Sequence, residues 1–401
     1  MPANFRDAII ITRKLGLRYL WIDSLCIIQD SRSDWEQQSA VMGSIYHSSA
    51  LTIAAASAKN SEGETSWGCS DKGTLAVRAW ALQERLLSHR ILSYGKRQLY
   101  WHCQYIHHSG DGDREPLPDY LYSELLNFSS PAHEIHHLSP EHRNNKIYKA
   151  WYATLRNYCD ERQLTVATDK LPALAGLAAE FHKLLDDVYL AGLWANDLHR
   201  GLLWRADGAL ASSSKKPRAP SWSWVKLDGV TIFPESDDHS YRELEAEILA
   251  HEVKLAGENP YGEVSWGKLT IRGLTYSPWD GVENITDEKK DMDPQSLPPS
   301  SIENINANLN LNQDQLSRKE NPKQQQQQTN AQFYTLLLIS WIRAESGQEN
   351  SADPIALILK KVNNQSQSIV YERVGILMIR EESPLAAGEC GAWTRQTVVV
   401  C

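Results

Sequence analysis

The chain has 401 residues, 42% hydrophobic and 23% charged, and 50 acidic against 41 basic side chains leave a formal net charge of −9. This is globular composition with room for two or three domains. The acidic balance argues against a nucleic-acid binder, which needs a basic face, and the lack of any run of about 18 apolar residues argues against a membrane span.

Met1 to Arg18 does not have the form of a signal peptide, since Ile9-Ile10-Ile11 is short and no small-residue cleavage site follows. The cysteines, Cys26, Cys69, Cys103, Cys159, Cys390 and Cys401, form no CxxC pair. Their scatter fits reduced thiols and a cytoplasmic location. Phe5 to Leu17 predicts a helix stopped at Gly16. Tyr19 to Ile28 is a near-continuous apolar run and predicts a strand buried on both faces. Ser33 and Glu36 form a capping box for a helix that carries Trp35, Ser39, Met42 and Tyr46 on one side. Leu51 to Ala56 then predicts a second strand, and strand–helix–strand implies a parallel βαβ unit.

Trp80 to Ser88 predicts a helix, Arg90 to Trp101 one or two strands, and Gln104 to Asn144 a loop. Amphipathic helices are expected over Tyr148 to Cys159 and Leu171 to Leu185, with helical character continuing from Tyr189 to Trp204. Beyond Pro217 the texture turns to strands, with Trp222 and Trp224 alternating with Ser, then Val264 to Ile271, Phe333 to Ile342, Ile355 to Leu359 and Val374 to Ile379. Asp280 to Gln332 is Asn/Gln-rich and predicts a disordered insertion.

Two blocks carry a family resemblance. The first is YLWIDSLCIIQD (Tyr19 to Asp30) with Asp34-Trp35, Met42, Ile45-Tyr46 and ALTIAAASA (Ala50 to Ala58); the second is RAWALQERLLSHRILSYGKRQLYWHC (Arg78 to Cys103). Together they resemble the fungal heterokaryon incompatibility (HET) domain. LTVATDKLPALAGLAAEF (Leu164 to Phe181), YLAGLW (Tyr189 to Trp194) and APSWSW (Ala219 to Trp224) resemble the regions that often follow it. The family opens with a strand carrying a Tyr, Ser and Trp-Gly pattern. The sequence here starts after that strand, and its spacer from Ala58 to Arg78 is short, so a copy truncated at the N-terminus is expected.

The resemblance implies an α/β fold: an incomplete parallel sheet similar to the Toll/interleukin-receptor (TIR) domain, with flanking helices. A helical middle and a β-rich C-terminal region follow. The expected boundaries are 1–104, 105–216 and 217–401. It also implies a cytoplasmic effector of allorecognition and programmed cell death, with protein partners or self-association. Some TIR domains cleave NAD, which makes NAD a substrate to consider, with no resident cofactor. A non-catalytic adaptor that acts by assembly and an inactive truncated paralogue are the alternatives.

For catalysis the candidate is Glu84, which on a helix shares a face with Trp80 one turn earlier. Cleaving an N-glycosidic bond calls for a carboxylate beside an oxocarbenium-like centre. Arg78 and Gln83 are placed to meet phosphate or amide. The structural alternative is an ion pair of Glu84 with Arg78, Arg85 or Arg90. Asp23 ends the first expected strand, where open α/β sheets bind ligands, and Ser24, Cys26, Gln29 and Asp30 follow it. The alternative there is a turn capped by Asp23. Cys26 with His47 lacks a nucleophile signature and is better read as a structural thiol. His102, His107, His108, His133, His136, His137 and His142 with Cys103 match no zinc-finger spacing, so no metal is expected. With 14 Trp against 5 Phe, the tryptophans are expected to serve mainly as packing. No Walker A pattern or GxGxxG opening a βαβ unit is present.

Overall fold

A computed structural model describes residues 1–56, 75, 77–95, 98–103, 106–112, 137–206, 212–213, 218–228, 231–233, 241–277, 334–343, 352–362, 369–378 and 393–401. The expected insertion at 280–332, most of the spacer after Ala58, and His133 and His136 lie outside these residues. The chain divides into two compact units, Met1–Asn196 with Leu255–Ser265, and Asp197–Lys254 with Trp266–Cys401. The fold is mixed α/β, with helices and several sheets.

The first unit begins with helices α1 (Ala3–Lys14), α2 (Asp23–Cys26) and α3 (Arg32–Ser48). Helix α1 ends where Gly16 takes φ +71°, a left-handed stop that costs glycine little. The strand expected over Tyr19–Ile28 is not formed. The Leu25 and Cys26 amides donate to the Ile22 carbonyl at 3.0 and 2.8 Å, which closes the short α2 turn, and Tyr19, Leu25 and Ile28 are exposed. The Ile27 amide likewise turns back to the Asp23 carbonyl at 2.9 Å, and none of the described strands pairs with this segment. Helix α3 is capped by Ser31, whose hydroxyl accepts from the Asp34 amide at 3.2 Å, so the expected box at Ser33 sits two residues too late.

Then come β1 (Thr52–Ala54), α4 (Ala79–Leu87), β2 (Arg90–Tyr94), β3 (Leu99–Cys103) and β4 (His107–Ser109). They form a sheet ordered β1-β2-β3-β4, in which β1 and β2 are parallel and the other pairings antiparallel. The parallel βαβ unit is therefore β1–α4–β2, not the pair of strands expected on either side of α3. Strand β4 also falls inside the stretch expected to be all loop.

Helix α5 (Pro140–Glu161) is capped by Ser139 with Pro140 in its first turn. It buries Ile147, Tyr148, Trp151, Tyr152, Leu155 and Tyr158, a helical stripe of aliphatic and aromatic side chains worth roughly 1.5–3 kcal/mol each for full burial. Trp151 meets Phe181 of α6 (Ala175–Leu185) edge-on at 5.1 Å. Helices α3, α4 and α6 converge where Gly43 faces Gly176. A Cβ on Gly43 would lie 2.5 Å from the Gly176 Cα, so the two backbones touch.

Tyr189–Trp204 was expected to be helical. Its first part is instead a hairpin of β5 (Tyr189–Leu190) and β6 (Leu193–Trp194), turned by Ala191 and Gly192 at φ +47° and +96°. Two consecutive positive φ values suit a tight hairpin turn.

The second unit opens with α7 (Leu198–Gly201) and short strands β7 (Arg205–Ala206), β8 (Ser212–Ser213), β9 (Leu227–Asp228) and β10 (Thr231–Ile232). Trp222 and Trp224 lie on a turn and a 3-10 helix rather than on strands, and both are fully buried. A seven-stranded sheet follows: β11 (Tyr241–Leu244), β12 (Glu247–Leu255), β13 (Val264–Tyr276), β14 (Tyr334–Arg343), β15 (Ala352–Val362), β16 (Val370–Met378) and β17 (Thr394–Val400). Its order is β11-β14-β15-β16-β17-β13-β12, and β14 also bonds β13, so the five strands β13 to β17 close on themselves. Leu336–Ile339 of β14 and Ile355–Leu359 of β15 are buried at every position, so both faces of these strands are covered. Arg373 of β16 stacks over Trp204 at 3.6 Å and donates to the Trp204 carbonyl. Burial pushes its guanidinium down to about 9.

Candidate functional site

Helix α4 is positioned from outside its own segment. The Ala79 amide donates to the Gln163 carbonyl at 3.0 Å, and Gln163 returns its amide to Val77 at 2.6 Å. Arg78, extended at the N-cap, forms a parallel bridge with Gln163. Trp80, half-buried, donates its indole N–H to Asp169 at 3.2 Å and meets Trp35 of α3 edge-on at 6.3 Å. Burial raises the Asp169 carboxyl, and Glu263 adds to the rise; the Trp80 bond and the Arg32 charge act against it.

Gln83 faces the other way. It is fully buried, its carbonyl accepts from the Gly176 amide at 3.0 Å, and its amide nitrogen lies 3.7 Å from the Met42 sulfur. Gly176 is the second residue of α6, in the first turn, where amide N–H groups call for capping partners. Gln83 is thus an internal cap that fixes α4 to α6. Gln83→Leu is expected to cost about 2 kcal/mol, the penalty for an unsatisfied buried amide, measured as a lower urea midpoint.

Glu84, one turn beyond Trp80, is half-buried. Burial pushes its carboxyl above the usual carboxylate range. The Arg78 charge opposes this, the Asp23 carboxylate adds to it, and the nearby Tyr46 hydroxyl opposes it. Tyr46 is pushed far up in turn by burial and by the charges of Glu84 and Asp23, so its phenol keeps its proton. Trp21 meets the Tyr46 ring edge-on at 5.8 Å. Of the residues expected from the sequence, Arg78 and Asp23 act electrostatically on Glu84, and Trp80 lies on the same face of α4. Tyr46 and Trp21 were not singled out. Tyr46 was expected only as part of the buried face of α3, and no sequence spacing reports its influence on Glu84.

The residues after Asp23 mostly serve their own turn. Asp23 Oδ1 accepts from the Ser24 amide at 2.7 Å. Gln29 folds back to donate to the Ile27 carbonyl at 2.9 Å, and Asp34 accepts from the Ile28 amide at 2.7 Å. Ser24, Cys26, Gln29 and Asp30 are exposed, and Cys26 is a free thiol. His47 packs edge-on against His89 at 4.6 Å. Burial lowers His89, and His47 and Arg90 lower it further. His102 and His107 are cross-strand neighbours, and the Ser139 hydroxyl lies 2.7 Å from His142 Nδ1. Among the described residues no three of His, Cys, Asp or Glu are grouped to hold a metal ion.

The first unit is a helix-braced α/β module with a half-buried carboxylate, Glu84, whose protonation responds to Arg78, Asp23 and Tyr46. Its N-terminal segment, residues 1–72, matches the family model described as heterokaryon incompatibility protein (HET), which places a HET domain segment at this end of the chain. The match contains Asp23 and Tyr46 and ends before Arg78, Trp80 and Glu84. Comparison with curated proteins and with solved structures gave no significant match.

Proposed function

We propose that the chain is a HET-type effector of heterokaryon incompatibility that triggers cell death by cleaving NAD. The HET match supports the biological role, and the Glu84 cluster is the observation that carries the chemistry. In this reading the first unit is TIR-like, with β1–α4–β2 as its parallel element, and works in the cytoplasm. No described helix is long and apolar enough to cross a membrane.

Cleavage breaks the bond between the ribose carbon and the nicotinamide nitrogen. The bonding pair leaves with nicotinamide, which departs neutral, and positive charge develops on the ribose. The Glu84 carboxylate stabilises that charge and then takes the proton from the water that adds. A carboxyl raised above the usual carboxylate range by burial suits this proton transfer. Arg78 is the cation for the pyrophosphate. Trp80, pinned by Asp169, keeps the adjoining face of α4 in place.

A second reading, signalling by assembly without catalysis, is favoured by a different observation. Leu15, Tyr19, Leu25 and Ile28 are large apolar side chains left exposed on the first unit. The two readings separate on induced expression in a filamentous fungus, with cellular NAD and growth followed against Glu84→Ala at matched protein level. The NAD reading expects both to fall with the unmutated chain and neither with the variant. Growth arrest at constant NAD, unaffected by Glu84→Ala, would establish assembly instead.

A further inference from the structure

We propose that the exposed side of α1, with the cap that ends it, is a docking surface for an anionic lipid bilayer. Arg6, Arg13, Lys14 and Arg18 meet the headgroups, and Ile10, Leu15, Leu17 and Tyr19 enter the edge of the apolar layer. The proposal is independent of the chemistry assigned to Glu84.

The charge is local. Residues 1–19 hold four basic side chains and one acidic, Asp7, in a chain whose formal net charge is −9. All four cations are exposed, and among the described residues none of them is in an ion pair. Arg6, Ile10, Arg13 and Lys14 share one side of α1 at helical spacing, while Thr12 on the other side is buried.

The apolar side chains are held in place. Beyond α1 the Gly16 amide donates to the Arg13 carbonyl at 3.1 Å and the Leu17 amide to the Thr12 carbonyl at 3.0 Å, a Schellman cap. Such a cap commonly folds the residue after the glycine onto the last helical turn. Leu17 stays exposed instead, as does Leu15, and Tyr19 is 84% exposed. The Arg18 guanidinium lies over the Tyr19 ring at 5.6 Å, so cation and ring project together.

Apolar ends set among unpaired cations are unfavourable in water on both counts. An anionic bilayer relieves both, because basic side chains lay their stems along the apolar boundary and keep their heads at the lipid charge. Other occupants answer only part of this chemistry. A second copy presenting the same face would bring like charges together. A nucleic acid would meet the cations and leave Ile10, Leu15 and Leu17 unused. Contact of this kind lies in the plane of the membrane surface and needs no spanning helix.

The test is co-sedimentation of the full chain with phosphatidylcholine vesicles, with and without about 30 mol% phosphatidylserine. Pelleting is expected with the anionic vesicles only, and release as salt rises, since exposed charges are screened. Arg13→Gln, Lys14→Gln and Arg18→Gln are expected to weaken binding about fivefold each and about a hundredfold together. Leu17→Ser with Tyr19→Ser is expected to weaken it with every cation intact, which separates apolar insertion from charge. Both sets change exposed side chains, so the variants are expected to melt with the unmutated chain. Equal binding to neutral and anionic vesicles, binding to neither, or undiminished binding of either variant would overturn the proposal. So would pelleting without vesicles that the same substitutions abolish, which would assign this face to contacts between copies.

Discussion

Gly43→Ala is expected to destabilise the protein by about 3 kcal/mol, the upper part of the range for overpacking a filled core. The new Cβ would stand 2.5 Å from the Gly176 Cα and 3.3 Å from Leu87 Cδ1. The Leu87 end can rotate, but the Gly176 backbone can move only if α6 moves. Gly176→Ala meets the same gap from the other side, at 2.7 Å from the Gly43 Cα and 2.9 Å from Gln83 Oε1. It therefore also strains the carbonyl that caps α6. Because both variants push the same two helices apart, the double variant is expected to cost less than the sum of the two. Gly257→Ala is the control. Its Cβ would meet only the Glu36 side chain at 3.6 Å, and no loss is expected. Denaturant unfolding of the four proteins is the measurement. A Gly43→Ala midpoint equal to that of Gly257→Ala would show that α3 and α6 are not in the contact described.

Glu84→Gln is expected to stabilise the fold at neutral pH. Burial raises the Glu84 carboxyl above its ordinary value of 4.5, so over the window between 4.5 and the folded value the folded chain binds more protons than the unfolded one. The contribution of Glu84 to stability is therefore fully present below pH 4.5 and is lost as pH rises through the folded value. Glutamine is neutral throughout and escapes the loss. Melting temperatures of variant and unmutated chain should diverge above pH 4.5, with the variant higher, and converge in acid. A variant melting lower at pH 7 would mean that the Arg78 partnership outweighs the cost of burying the charge. A stabilising change that abolishes NAD loss would mark Glu84 as a group kept for chemistry at the expense of the fold.

The sequence revealed the elements better than their partners. The stripe Trp35, Ser39, Met42 and Tyr46 identifies the packed face of α3, and Trp80 with Glu84 identifies a shared face of α4, because helical period alone fixes those relations. Tyr19–Ile28 misled for the opposite reason. An apolar run rich in Ile, Tyr and Trp has strand propensity, yet a strand needs a neighbour, and the short α2 turn satisfies the backbone without one. Tyr189–Trp204 misled because Ala191-Gly192 is a weak written signal for a turn that needs two positive φ values. The anchoring of α4 was not legible at all. Gln163, Asp169 and Gly176 lie 84, 89 and 93 positions after Ala79, Trp80 and Gln83, the residues they hold, and no local pattern encodes such a contact. Gln83 shows the cost of this: beside Glu84 in sequence it looks like a site residue, but in space it caps another helix.

The closed run of strands β13 to β17 has a consequence for synthesis. Thr275 on β13 bonds Thr394 on β17, 119 residues later. While the intervening chain is being made, the edge of β13 destined for β17 has no partner, and neither edge of the ring can be sealed. Non-local pairing of this kind is slow to form and leaves sticky edges open in the interim. Heat or overexpression is therefore expected to send the second unit into aggregates before the helix-braced first unit, as limited proteolysis of the soluble and pelleted fractions would show.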